Sequence, residues 1–346
     1  MTRQLDAQDL ARAVAAGVLQ PGQDQALLAF LRQQPDSRAS FQLAHSAYYF
    51  GALLIMGAMG WLLSEAWMKI GDLALLALAL TYMGAFTACA LGLWRRGQQI
   101  PGGLLGAVAV SLTPLAVFAL ERLTGLWPLH DAQGNYHDYY VYVQGGWLAM
   151  EAATLVVGLL MLRLLPFPFI VMPLALALWF MSMDLTELAF GDGFDWEQRR
   201  WVSLWFGLAL LLASLWVDGR TRQDFAFWGY LAGLAAFWGG LSLMDSHSEL
   251  GKALYCAINL GLMGLAVLLR RPQFMVFGAL GVAGYLGHLA YAVFEDSLLF
   301  PIILTLIGLG VIGLGLAYQQ RRDALTARLR ACLPDSLLAF LPALRR

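Results

Sequence analysis

Glu151 is the residue whose placement most needs explaining. It stands in the run GGWLAMEAATLVVGLLMLRLL, apolar and of membrane length. A carboxylate in the middle of such a run costs roughly 2.5–3.5 kcal/mol to insert. It persists there either through a structural hydrogen bond or because it binds something. Other polar side chains fall at comparable depth once the apolar runs are laid antiparallel. His288, Asn259 and Tyr285 lie within later runs, Asp184 stands at the outer end of the fifth in WFMSMDL, and Ser242 and Tyr291 are on the outer halves of theirs. Glu151, His288, Asn259, Asp184 and Tyr285 therefore form the candidate lining of one polar pocket. Together they would line an outward-facing polar pocket, with His288 as a proton-relay partner in it. A packed core histidine is the structural alternative for His288.

Other chemistry-bearing residues assemble into less. His130-Asp131 and His137-Asp138 repeat a pair in one connection, and His247 sits in another. Imidazole and carboxylate bind zinc, but no spacing here fixes a tetrahedral set. Cys89, Cys256 and Cys332 share no connection, so neither a disulfide framework nor a zinc spacing is indicated. No GxxxxGK[ST] or HExxH pattern occurs. We assign no catalytic residue, no cofactor and no metal from the sequence.

The elements that must position these side chains are membrane helices. The 346-residue chain is 60% apolar and 13% charged, with a mean hydropathy of +0.64. Soluble domains run at roughly 45–50% apolar and about 25% charged. The runs reach the ~20 residues that a helix needs to cross hydrocarbon, and the alternating short segments of a barrel are missing. The fold class is all-α: a polytopic transmembrane helical bundle of about ten spans. Their bounds are 46–64, 73–94, 102–120, 146–165, 167–183, 201–217, 225–243, 253–269, 274–294 and 298–318. No connection has room for a soluble ATPase, kinase or nucleic-acid module.

Lys and Arg set the orientation. With the spans alternating, 17 basic residues fall on one side, among them Arg95, Arg96, Arg220, Arg222, Arg270 and Arg271. Five fall on the other: Lys69, Arg122, Arg199, Arg200 and Lys252. Both termini are then cytoplasmic, and the expected location is a bacterial inner membrane. The outer connections are acidic, and the two longest, Glu121–Gln144 and Asp184–Arg200, both lie outside. Tryptophans near span ends read as an interfacial belt.

The flanks differ from the bundle. Residues 1–45 lack the order of a cleavable signal and read as an amphipathic cytoplasmic hairpin, broken at Pro21-Gly22. Residues 319–346 alternate Arg with Leu and read as a basic amphipathic helix on the cytoplasmic leaflet. Within the bundle, Pro114 should kink the third span. Gly278, Gly281, Gly284 and Gly287 should mark helix contacts in the ninth, as Gly308, Gly310, Gly313 and Gly315 should in the tenth. A five-plus-five inverted repeat would need a break in span eight to match Pro114, where only Asn259 and Gly261 stand.

The runs YYFGALLIMGAMGW (48–61), IPGGLLGAVAVSLTPLAV (100–117) and LWFMSMDL (178–185) resemble bacterial multi-span membrane proteins of domain-of-unknown-function family 2157. In that family an amphipathic segment carrying a GLI…EQ-type run precedes about ten spans. Here Gly17-Val18-Leu19 stands in that place, and Pro21-Gly22-Gln23 departs from the usual acidic residue. The resemblance implies a ten-span inner-membrane protein and supplies no functional residue.

Three functions fit these expectations. The first is a protein that binds or passes a small solute or lipid through an outward-facing pocket near Glu151. The second is a membrane scaffold or sensor subunit that assembles with another membrane protein. The third is a membrane enzyme on a lipid-linked substrate, which lacks any nucleophile–base spacing. The bilayer is the expected partner in all three, and nucleic acid in none.

Overall fold

Without water, an apolar segment must satisfy its own N–H and C=O groups, and a helix does this within one stretch. In a computed structural model every described element is helical, with no strand among the described residues. The structure describes residues 43–69, 71–126, 146–190, 196–221, 223–244 and 248–293, with a few isolated positions besides. The N-terminal hairpin, the outer His-Asp pairs, the glycines of the tenth span and the basic tail lie outside them. The chain divides at Ser46 into a short N-terminal unit and a unit from Ala47 to Arg346 that holds the apolar helices.

The helices are α1 (Leu43–Lys69), α2 (Asp72–Arg95), α3 (Gln99–Ser111), α4 (Thr113–Thr124) and α5 (Gly146–Leu164). A 3-10 turn at Pro168–Ile170 leads into α6 (Val171–Phe190). Then come α7 (Trp196–Asp218), α8 (Phe225–Ser242), α9 (Glu249–Leu269) and α10 (Pro272–Val293). Six of the described segments are long and apolar enough to cross a membrane, α3 and α4 counting together as Gln99–Thr124.

Contacts at the helix ends show successive spans running antiparallel. At one end Tyr49 of α1, Phe169 of the 3-10 turn and Trp228 of α8 stack together, with ring centroids 5.5, 4.6 and 5.9 Å apart. At the other end Arg122 of α4 pairs with Asp72 of α2 at 2.8 Å, and Arg200 of α7 donates to the Leu243 carbonyl of α8. The Ser242 and Tyr255 hydroxyls meet there as well, 2.9 Å apart between α8 and α9.

The third span is interrupted where Pro114 requires it. Pro114 cannot donate to the Val110 carbonyl, and the ladder skips at Leu112, whose N–H reaches Ala109 O at 3.3 Å. The broken helix is also the centre of the bundle. Residues 102–104 and 106–110 of α3 are all buried, the pattern of a helix surrounded by others. A cavity of about 180 Å³ opens at the break, lined by Met56, Met59, Val108, Ser111, Leu112, Pro114 and Leu115.

Small residues set the closest approaches, since lipid offers no hydrophobic drive to association. A Cβ on Gly207 would strike the backbone of Phe237, and one on Gly240 the backbone of Arg200 and Leu204. The α7–α8 seam is therefore closed backbone to backbone. In the ninth span Gly278 and Gly281 do meet α9, whereas Gly284 and Gly287 face no described atom. Of the tryptophans expected near span ends, Trp61, Trp201 and Trp216 are exposed, while Trp228 packs in the aromatic stack and the Trp179 indole donates to Ser203 Oγ at 3.0 Å. Gly207→Ala should therefore destabilise the protein by roughly 1–3 kcal/mol through overpacking. Gly239→Ala, whose new methyl meets nothing described, should be neutral or better. Thermal unfolding in detergent compares them, and equal midpoints would refute the seam.

Candidate functional site

The buried stripe of α5 runs Met150, Glu151, Thr154, Gly158, Met161 and then Leu165 just past its end. That is the 3.6-residue period of one inward face. Glu151 is thus on the packed side of its helix, and only 6% of it is exposed. The opposite side of α5, with Val156, Leu159 and Leu160, is exposed.

What meets Glu151 follows from the α5–α6 seam. Gly158 lets Leu174 of α6 lie against α5. From there the helices run antiparallel. Seven residues along α5 lead back to Glu151 and ten along α6 lead on to Asp184, about 10 and 15 Å of rise. The two carboxyl groups lie within electrostatic reach of one another. Neither Glu151 oxygen accepts a hydrogen bond from a described residue. Thr154, one turn away, spends its hydroxyl on Met150 O at 2.7 Å.

This alters where the acids stand. Asp184 was expected at the end of a span that stops at residue 183, opening a long outer loop. Instead α6 continues to Phe190, and Asp184 lies within the apolar segment Pro168–Thr186. Glu121, expected in the first of the two long outer loops, is buried in the last turns of α4, with Oε2 unpartnered. Glu151 is therefore not alone: Glu121 and Asp184 also lie inside candidate spans, away from their end residues. Among the described residues no three of His, Cys, Asp and Glu gather closely enough to hold a metal ion.

The other expected pocket residues lie in a different seam. Asn259 is fully buried between α9 and α10, its backbone carbonyl against Gly278 and its amide against Gly281. Its Nδ2 donates to Tyr255 O at 2.8 Å, and Oδ1 has no partner. His288 and Tyr285 are half-buried on α10. His288 feels the charge of Glu249 on α9, and its Nε2 is buried and unpartnered. So Glu151 and Asp184 belong to the α5–α6 seam, Asn259 lies between α9 and α10 with His288 within electrostatic reach of Glu249, and Tyr285 is on α10.

At the opposite end stands a polar cluster that the sequence reading missed. Arg271, between α9 and α10, forks onto Asp218 at 2.5 and 3.2 Å and onto Asp224 at 2.8 and 3.0 Å. The fully buried Tyr230 donates to Asp218 Oδ2 at 3.4 Å, and its ring lies 5.6 Å from the guanidinium. Burial opposes the charge of Arg271. Hydrogen bonding to Asp218 and the charges of Asp224 and Asp218 outweigh it and hold the guanidinium pKa above its ordinary value. The signal was legible: an Asp at each end of the short turn DGRTRQD faces a short turn carrying Arg270-Arg271. Counting Arg271 only as an orientation marker hid it.

The Asp218 side chain is 2% exposed. Arg271→Ala should therefore cost roughly 3–5 kcal/mol, the price of a buried carboxylate without its cation. The double variant Arg271→Met/Asp218→Asn should recover part of that loss in thermal unfolding, and an unchanged midpoint for Arg271→Ala would contradict the assignment. Compared with known proteins, the chain matches no family model, no curated protein and no solved structure.

Proposed function

We propose that this is an integral protein of a bacterial inner membrane, with about ten spans and both termini cytoplasmic, that takes a small solute or lipid headgroup into an outward-facing pocket. Glu151 and Asp184 form the floor of that pocket. Six apolar helices of spanning length support the membrane assignment, and the 17-to-5 division of basic residues supports the orientation. The resemblance to family 2157 fits the same architecture and adds no activity.

One observation carries the pocket. Glu151 lies on the packed face of α5, against a second carboxyl and without a donor. A purely structural carboxyl in hydrocarbon would be expected to have found a hydroxyl, amide or cation. Glu151 lies little more than one turn from the first residue of α5, at the end where Arg122 meets Asp72. A solute entering from that face has about 8 Å to travel along the helix.

Thiol labelling tests both parts. In a variant lacking the native cysteines, Glu151→Cys and Asp184→Cys should react with a small membrane-impermeant thiosulfonate added outside intact cells. A cysteine at Gly219, in the inner turn, should react only after permeabilisation. If both pocket cysteines stay inert from outside, the pocket is wrong. If Gly219→Cys labels from outside, the orientation is wrong.

A further inference from the structure

We propose that the cavity at the break of the third span is a second site, apart from the outer pocket, and that it takes the end of a bilayer lipid's hydrocarbon chain. The cavity measures about 180 Å³. Apolar cavities of about 150 Å³ stay dry and accept guests the size of benzene. The last few carbons of an acyl chain are a guest of that size.

The lining rules out a polar occupant. Ser111 carries the only polar side chain among the lining residues. Its hydroxyl is already engaged, donating to Ala107 O at 3.0 Å with Met56 Sδ 3.4 Å away. The buried Thr113 hydroxyl is not part of the lining. A buried water needs about three polar partners, and these walls do not offer them.

Depth selects a hydrocarbon chain. The span runs from Gln99 to Thr124, and Ser111 stands about 18 Å of helical rise from one end and about 20 Å from the other. Half the hydrocarbon thickness of a bilayer is about 15 Å. The cavity is therefore near the midplane, where lipids present chain ends and headgroups do not reach.

The walls suit such a guest. Leu112 and Leu115 are buried and form the floor, whereas Met56, Met59, Ser111 and Pro114 are half-buried and mark the mouth. The two methionines are unbranched and polarisable, so they adapt to a chain of variable shape. An empty void forfeits dispersion contacts along its walls, and an acyl chain restores them. The guest thereby braces the break between α3, buried at the centre of the bundle, and α4, which carries Glu121 and Arg122.

The test uses the full chain in palmitoyl-oleoyl phosphatidylcholine vesicles doped with a photoactivatable phosphatidylcholine. One probe carries a diazirine at the end of an acyl chain, and the other carries it beside the chain's carbonyl. Peptide mass spectrometry maps the labelled residues after illumination. The chain-end probe should label Met56, Met59 and Leu112 several-fold more than Val156 and Leu159, which are exposed at mid-span on α5. The carbonyl-side probe should show no such excess. Ser111→Leu, which extends an apolar side chain into the cavity, should abolish the excess. Equal labelling of the two sets, an excess with the carbonyl-side probe, or an excess that survives Ser111→Leu would overturn the site. The contrast between the two probes in the wild type decides the matter even if the variant fails to fold.

Discussion

Hydrocarbon gives a polar side chain no water to fall back on. Each charged group carried into the bundle must be matched within the protein, or must stand where something else completes it. The two ends of this molecule answer that demand differently. At the basic end Arg271 is closed by two aspartates and a buried tyrosine. The cluster is satisfied and ties the α7–α8 hairpin to the α9–α10 hairpin over the apolar contacts of Tyr230, Phe274, Leu234 and Leu262. At the acidic end Glu151 faces a second acid, and neither of its own oxygens accepts from a described donor.

Packing explains why these groups cannot escape. Gly158 draws α6 onto α5 and turns the Glu151 side of the helix inward, so snorkelling to the headgroups is blocked. Gly207 and Gly240 close the α7–α8 seam backbone to backbone, and that fixes where Asp218 and Asp224 can stand. The broken third span lies at the centre of the first five helices. Its interruption at Leu112 leaves the Thr113 hydroxyl buried without a partner, next to the cavity at the break.

Much of the fold was legible in residue order because the forces that set it are local. Apolar run length dictates helices, and Pro114 dictates a break, to within a residue or two of where it occurs. The candidate site was legible only in part, because it depends on which faces meet. Glu151 stood out by its chemistry alone. Its partner Asp184 was named too, but as the end of a span, because a hydropathy boundary cannot see α6 continuing beyond it. Depth matching grouped Asn259, Tyr285 and His288 with Glu151, yet equal depth says nothing of rotation or neighbours, and these residues fall on α9 and α10. Arg271 shows the same limit from the other side. As a positive charge it reported topology, while the aspartates that neutralise it lay 47 and 53 residues away in sequence.

The central claim is that Glu151 faces a second acid, Asp184, inside the membrane-spanning region and takes no hydrogen bond from a described donor. Infrared spectroscopy of the purified protein at neutral pH addresses it most directly, through the carbonyl stretch of a protonated carboxylic acid. The account predicts such a band in the wild type and its loss in both Glu151→Gln and Asp184→Asn, because removing either acid removes the repulsion that retains the proton or the group that carries it. A spectrum with no protonated-acid band, or one whose band persists in both variants, would contradict it.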